Sequence, residues 1–167
     1  YYQKSKNANS LSNDRVNSVF FDKNENIWVG TIDGLDKIEK KSQRIVHYKN
    51  NPADKNSISN DYISCVLEDR SGFLWVGTHQ TGLNLINQST GENKLFLHKN
   101  EDVSTLTNSG ITNLLEDHNG NIWVGTFYGL NRYNKNTGKF FRYENDPDDP
   151  MSLSNNLVWK IYEDSKN

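Results

Sequence analysis

Ile27-Trp28-Val29-Gly30-Thr31 returns as Leu74-Trp75-Val76-Gly77-Thr78 and again as Ile122-Trp123-Val124-Gly125-Thr126. The separations are 47 and 48 residues. A chain of 167 residues with that period must fold as repeated units, each burying an apolar face against the next. A second marker keeps the same register. Ser10-Leu11-Ser12-Asn13 recurs as Ser57-Ile58-Ser59-Asn60, Thr105-Leu106-Thr107-Asn108 and Ser152-Leu153-Ser154-Asn155. The repeats therefore run over about 10–56, 57–104 and 105–151, with a partial copy at 152–167. The one extra residue falls after the Gly-Thr of the second copy. Trp75 to Gly82 is seven steps, where Trp28 to Gly34 and Trp123 to Gly129 are six.

Each copy divides into four short runs, a to d. Run a is Val16–Phe21, Ile63–Glu68, Ile111–Glu116 and, in the partial copy, Val158–Glu163. An aspartate follows each: Asp22, Asp69, Asp117 and Asp164. A tight polar turn comes next, with Gly72 and Gly120 in two copies and Glu25 in the first. Asp suits such turns because it bonds nearby backbone, and Gly because it takes positive φ. Run b is the pentapeptide. Run c opens with Gly34-Leu35, Gly82-Leu83 and Gly129-Leu130, and run d is Arg44–Tyr48, Asn93–Phe96 and Lys139–Tyr143. β-branched and aromatic residues fill the runs, and turn residues separate them, which predicts consecutive antiparallel strands. No window sustains a helical period.

A four-stranded unit of this length in tandem predicts an all-β chain of β-propeller blades, three full and one begun. Run a is then innermost and run d outermost. Trp28, Trp75 and Trp123 sit mid-blade and pack on the next sheet. Three blades and one extra strand do not close a ring, since propellers have four to eight blades. The open ends predict either a homo-oligomer that completes a ring or a fragment of a longer chain.

The pattern Glu-Asp-x-x-Gly-x-Ile/Leu-Trp-Val-Gly-Thr-x-x-Gly-Leu resembles the two-component regulator propeller repeat. The likeness covers essentially the whole chain, with Phe21 and Glu25 as departures in the first copy. The resemblance implies the periplasmic sensor region of hybrid two-component systems of gut Bacteroidetes. In these, two propellers precede a β-sandwich, a membrane helix and kinase and receiver domains, and the ligands are oligosaccharides. It also implies a parent anchored in the inner membrane, with kinase activity outside this chain.

Copies compared with each other separate two duties. Trp28, Gly30, Trp75, Gly77, Trp123 and Gly125 are identical in every copy and serve the shared fold. Positions that differ are free of that duty. They fall at the start of run a (Arg15, Asn17, Tyr62, Thr112, Trp159) and in the b–c loop (Asp33, His79, Gln80, Phe127, Tyr128). Alternating strands bring both places to one rim, where loops on a rigid scaffold build binding sites. The aromatic members offer flat faces to sugar C–H groups, and the polar members offer hydrogen bonds to hydroxyls. An oligosaccharide ligand is expected there.

Other classes are set aside on chemistry. Net charge is -2 without a basic block, against nucleic acid. No stretch nears the roughly 18 apolar residues of a membrane span, so no direct membrane contact is expected. The four histidines lack ligand spacing, so no metal and no cofactor is expected. No nucleophile–base motif appears, and the module is read as non-enzymatic. The alternatives are a propeller lyase or hydrolase of the streptogramin-lyase kind, for which only His79 is well placed, or a passive interaction scaffold.

Overall fold

Short β-prone runs separated by Asp, Asn and Gly turns leave each run only its sequence neighbours to pair with, and meanders result. The computed structural model describes residues 9–164. Its twelve strands form three four-stranded antiparallel sheets, each in sequence order. The first holds β1 (Val16–Phe21), β2 (Ile27–Thr31), β3 (Gly34–Ile38) and β4 (Ile45–Tyr48). The second holds β5 (Ile63–Glu68), β6 (Phe73–Thr78), β7 (Leu83–Asn87) and β8 (Asn93–Phe96). The third holds β9 (Ile111–Glu116), β10 (Ile122–Thr126), β11 (Gly129–Asn134) and β12 (Lys139–Tyr143). The described residues contain no helix. Within the three full copies only run-end details differ from the sequence reading: β4 starts at Ile45, β6 at Phe73 and β7 at Leu83.

Sheets meet through their first two strands, β1 and β2 on β5, and β5 and β6 on β9. The a strands are thus innermost. The forward face of each sheet carries the tryptophan. Trp28 packs on Ile58, Ile63, Val66, Leu74 and Val76 of the second blade and is 2% exposed. Trp75 packs on Leu106, Ile111, Leu114, Ile122 and Val124 of the third and is 1% exposed. Trp123 is only half-buried, because no complete fourth sheet covers it.

The identical residues now have physical reasons. Asp22, Asp69 and Asp117 each accept the indole N–H of their own tryptophan, at 3.1, 2.9 and 2.8 Å. The same carboxylates bind the a–b turn: Asp22 accepts the Asn24 and Asn26 N–H groups, both at 2.9 Å. Burial works to raise the Asp22 and Asp117 carboxyls, but these hydrogen bonds outweigh it and hold both below the ordinary aspartate value. Thr31, Thr78 and Thr126 donate to the carbonyls of Gly34, Gly82 and Gly129 and close the b–c loop. The pentapeptide glycine makes room for the next inner strand. A Cβ on Gly77 would stand 2.7 Å from Ile111 Cγ2, and one on Gly30 2.7 Å from Ile63 Cγ2.

The Glu-Asp pair ends run a for a reason that reaches across blades. The glutamate accepts a turn N–H of the preceding blade: Glu68 from Lys23 at 2.9 Å, Glu116 from Arg70 at 2.8 Å, and Glu163 from His118 at 3.0 Å. Phe21 takes that place in the first copy and is 65% exposed. Its neighbour Glu25 adopts φ 61°, the left-handed region that glycine fills in the other turns.

Residues 152–163 begin a fourth blade. Val158–Glu163 lies beside β9 as one extra segment without a ladder. Inner strands of successive blades do not pair with each other, and no run b follows within the described residues to pair with it.

Candidate functional site

The inner strands share one irregularity. Val16 pairs with Thr31 and Ser18 with Gly30, so Asn17 is an extra residue in the ladder. Ser64 and Thr112 are extra in the same way. A β-bulge frees a side chain from the sheet alternation and re-aims it. Asn17 uses that freedom to donate from Nδ2 to the Ile63 carbonyl of the next blade, at 2.8 Å. Thr112 Oγ1 donates to the Val158 carbonyl. Both candidates are thus engaged between blades, a duty the sequence comparison did not foresee. Trp159 occupies the same repeat position in the fourth copy and is 65% exposed.

The b–c loop turns toward this bulge. Its first residue donates N–H to the residue before run a: Ile32 to Arg15 at 3.2 Å, His79 to Tyr62 at 3.1 Å, Phe127 to Gly110 at 3.1 Å. Each bond places two variable side chains next to each other. In the first blade the pair is Arg15 and Ile32, without an aromatic. In the second, the His79 ring stacks on Tyr62, with centroids 4.5 Å apart and planes 14° apart. In the third, the partner is Gly110, and the Phe127 ring fills its place. A Cβ at Gly110 would stand 2.2 Å from Phe127 Cδ2.

These pairs join across the blade junctions. His79 meets the Phe127 ring edge-on at 5.1 Å and 83°. Phe127 meets Trp159 edge-on at 5.8 Å and 82°. A continuous aromatic run, Tyr62–His79–Phe127–Trp159, therefore crosses the second, third and fourth blades along the inner rim. Tyr62 is 38% exposed and Trp159 65%. Edge-to-face packing of this kind fixes ring planes relative to one another. Gly110 is the member that sequence reasoning passed over. Its signal was a missing side chain at a position where the other copies carry Arg15, Tyr62 and Leu157.

The remaining candidates lie around the run without joining it. Asp33 pairs with Lys49 Nζ at 2.8 Å. Arg15, Gln80 and Tyr128 are exposed on the same side of the sheets. The other histidines are occupied elsewhere. His47 Nδ1 lies 2.7 Å from the buried Asp36, His98 Nδ1 lies 2.7 Å from the Leu106 carbonyl, and His118 faces Glu163. Ser12 Oγ, His47 and Asp36 are mutually close. Ser12 and Asp36 address the same imidazole nitrogen, however, so no relay from carboxylate through the ring to the hydroxyl exists. Burial pushes the Cys65 thiol up to about 12, which leaves it an inert packing residue. Among the described residues no three His, Cys, Asp or Glu side chains stand close enough to hold a metal ion. A groove of about 610 Å³ is lined by Val103, Phe140 and Phe141 at the outer edge of the third sheet and includes none of the rim candidates.

Comparison with known proteins follows this geometry. The family model described as two component regulator propeller matches residues 10–33, 57–80 and 105–128, one match per blade. The chain superposes on the extracellular domain of a hybrid two-component system from B. thetaiotaomicron with TM-score 0.78 and 26% identity, over 90% of this chain and 21% of that one. The extracellular domain of a one-component system from the same organism gives 0.74 and 28%, over 93% and 20%. The chain thus spans about a fifth of the length of either. Virginiamycin B lyase from Staphylococcus aureus shares the fold at TM-score 0.59 and 17% identity, over 80% and 42%. No curated protein matches the sequence.

Proposed function

We propose that the chain, whose three blades each match the two-component regulator propeller model, is a ligand-sensing module whose ligand is an oligosaccharide bound along the inner rim. The observation that carries this is the aromatic run Tyr62–His79–Phe127–Trp159, assembled from positions that the blade fold leaves free. Aromatic faces take the C–H face of a sugar ring, and a run longer than one ring suits several sugars in line. Arg15, Gln80 and Tyr128 supply donors and acceptors for hydroxyls at its margin. Likeness to extracellular domains of two-component systems supports a periplasmic place for the module, with the signal passed to a kinase outside this chain.

The lyase alternative is supported by the fold and not by the surroundings of His79. A general base needs a free nitrogen and an orienting partner. His79 lies between two aromatic rings. Calorimetric titration with a panel of neutral and acidic oligosaccharides tests the proposal. At least one should bind, and Phe127→Ala or Trp159→Ala should weaken it about tenfold or more while the melting temperature moves only a few degrees. Binding unaffected by both substitutions would remove the ligand from this rim. Turnover of a substrate lost with His79→Ala would favour the lyase reading.

A further inference from the structure

Two side-chain bonds tie the inner run of each blade to the next, and one junction lacks both. At the first junction the bulge residue Asn17 donates from Nδ2 to the Ile63 carbonyl at 2.8 Å, and Ser18 Oγ accepts the Val66 N–H at 3.2 Å. At the third, Thr112 Oγ1 donates to the Val158 carbonyl, and Asn113 Oδ1 accepts the Ile161 N–H at 3.0 Å. At the second, the equivalent residues are Ser64 and Cys65, facing Ile111 and Leu114. Ser64 Oγ lies 3.7 Å from Cys65 Sγ, and among the described residues no side chain donates to the Ile111 carbonyl or takes the Leu114 N–H. The chemistry accounts for the gap. A thiol is a weak acceptor, so Cys65 does not replace Ser18, and the Ser64 hydroxyl is turned to that sulfur and not to the next blade.

The gap adjoins the aromatic run. Ser64 stands two residues after Tyr62, and Ile111 follows Gly110, over which the Phe127 ring lies. His79 and Phe127 meet at this same junction. Both sheets here have all four strands, and Ser64 is half-buried on the innermost of its blade. Backbone polar groups take a partner wherever one can reach them.

We propose that the junction between the second and third blades reads the hydroxyl groups of the bound sugar. Ser64 Oγ and the Ile111 carbonyl take a hydroxyl of the ring that lies against His79 and Phe127, and the Leu114 N–H takes an oxygen further along the same edge. The inference rests on the oligosaccharide reading of the rim. A sugar hydroxyl both donates and accepts, which suits a site made of one carbonyl and one hydroxyl. The ligand then supplies at this junction the donor that Asn17 and Thr112 supply at the other two, and binding fastens the second blade to the third.

Calorimetric titration of the whole chain with short oligomers of glucose, mannose, xylose and galacturonic acid tests this. Nuclear magnetic resonance of the Thr112 amide, which follows the Ile111 carbonyl in the chain, is the second readout. An oligomer that binds should shift that amide. Ser64→Ala should weaken its binding about two- to tenfold, the size of one lost hydrogen bond, and leave the melting temperature within about two degrees. Ser64→Asn copies Asn17, so its own Nδ2 should reach the Ile111 carbonyl. It should raise the melting temperature by a few degrees and weaken the oligomer at least as much as Ser64→Ala does. Binding that Phe127→Ala weakens but both Ser64 variants leave unchanged overturns this inference alone and leaves the rim reading standing. A loss of several degrees in Ser64→Ala also overturns it, since the hydroxyl would then already serve the blade. No binding by any of these oligomers overturns both readings.

Discussion

Asp36 shows how one residue can depart from its own repeat. The equivalent Asn84 and Asn131 are buried, and each donates from Nδ2 to the run b carbonyl beside it, Val76 at 3.1 Å and Val124 at 3.2 Å. Asp36 is equally buried and keeps the bond to the marker residue that its equivalents also make, here Ser12, but as an acceptor only it makes none to the run b carbonyl and faces His47 instead. Asp36→Asn would restore the bond to Val29 and remove a buried carboxylate. The expected gain is about 1 kcal/mol, read as a rise in the denaturant midpoint. The Asp22 and Asp117 carboxyls give a second expectation. Both are held low, so their stabilisation is present above the ordinary aspartate value near 3.9 and is lost as pH falls through their lower folded values. Thermal melts should be nearly flat in pH from about 5 to 7 for these groups and fall below about pH 4. Asp22→Asn should remove part of that acid slope. The repeat comparison marked these aspartates as structural from the sequence. The indole each one holds was not legible, because a bond from Asp to Trp six residues on depends on the turn between them.

At the scale of the element, the three tryptophans are one residue in sequence and two in energetics. Trp75 is enclosed by the third blade, and Trp75→Ala should cost roughly 3–5 kcal/mol. Trp123 has the same strand, the same aspartate and an incomplete cover, so Trp123→Ala should cost roughly 1–2 kcal/mol. Chemical denaturation of the two variants side by side measures the difference. The second b–c loop gives another contrast. Thr81 Oγ1 sits 3.0 Å from Thr78 Oγ1 and 3.3 Å from Ser59 Oγ, so the longer loop is fastened rather than loose. Deleting Thr81 should leave the blade folded within a few degrees of its melting temperature and break the His79–Tyr62 stack, seen as a change in the tyrosine environment by near-ultraviolet circular dichroism. Strand order, blade number and the variable rim were all legible in the sequence. The engagement of Asn17 and Thr112 between blades was not, because a bulge is a property of the ladder and not of either residue.

For the whole molecule, the two ends are unlike each other. At the start, Val16 and Val19 are 41% and 56% exposed, while their equivalents Ile63 and Val66 are 0% and 6%. At the far end, residues 152–163 already occupy the inner-strand place of a fourth blade. A second copy docking head-to-tail would bring its own β1 to that place. Appending a copy of residues 121–151 to the chain should supply the remaining strands of that blade, since 164–167 stand where 117–120 do in the repeat. The expected outcome is a higher melting temperature, a blue shift of Trp123 fluorescence and less self-association by light scattering. An unchanged Trp123 spectrum would show that the segment does not template a fourth sheet.

The sequence by itself determined the unit. Period, alternation and turn chemistry are local, and local rules suffice to set four strands, their order and the face each residue takes. Because the unit recurs, the sequence also separated residues owed to the fold from residues free of it. Only the tertiary structure decided what the free residues became. Tyr62, His79, Phe127 and Trp159 lie far apart along the chain, and their rings meet because successive blades bring equivalent positions together at the inner rim. Gly110 matters only because Phe127 lies over it. Contacts between blades join residues about one repeat apart, and the blade-to-blade geometry that places them is written in no single repeat.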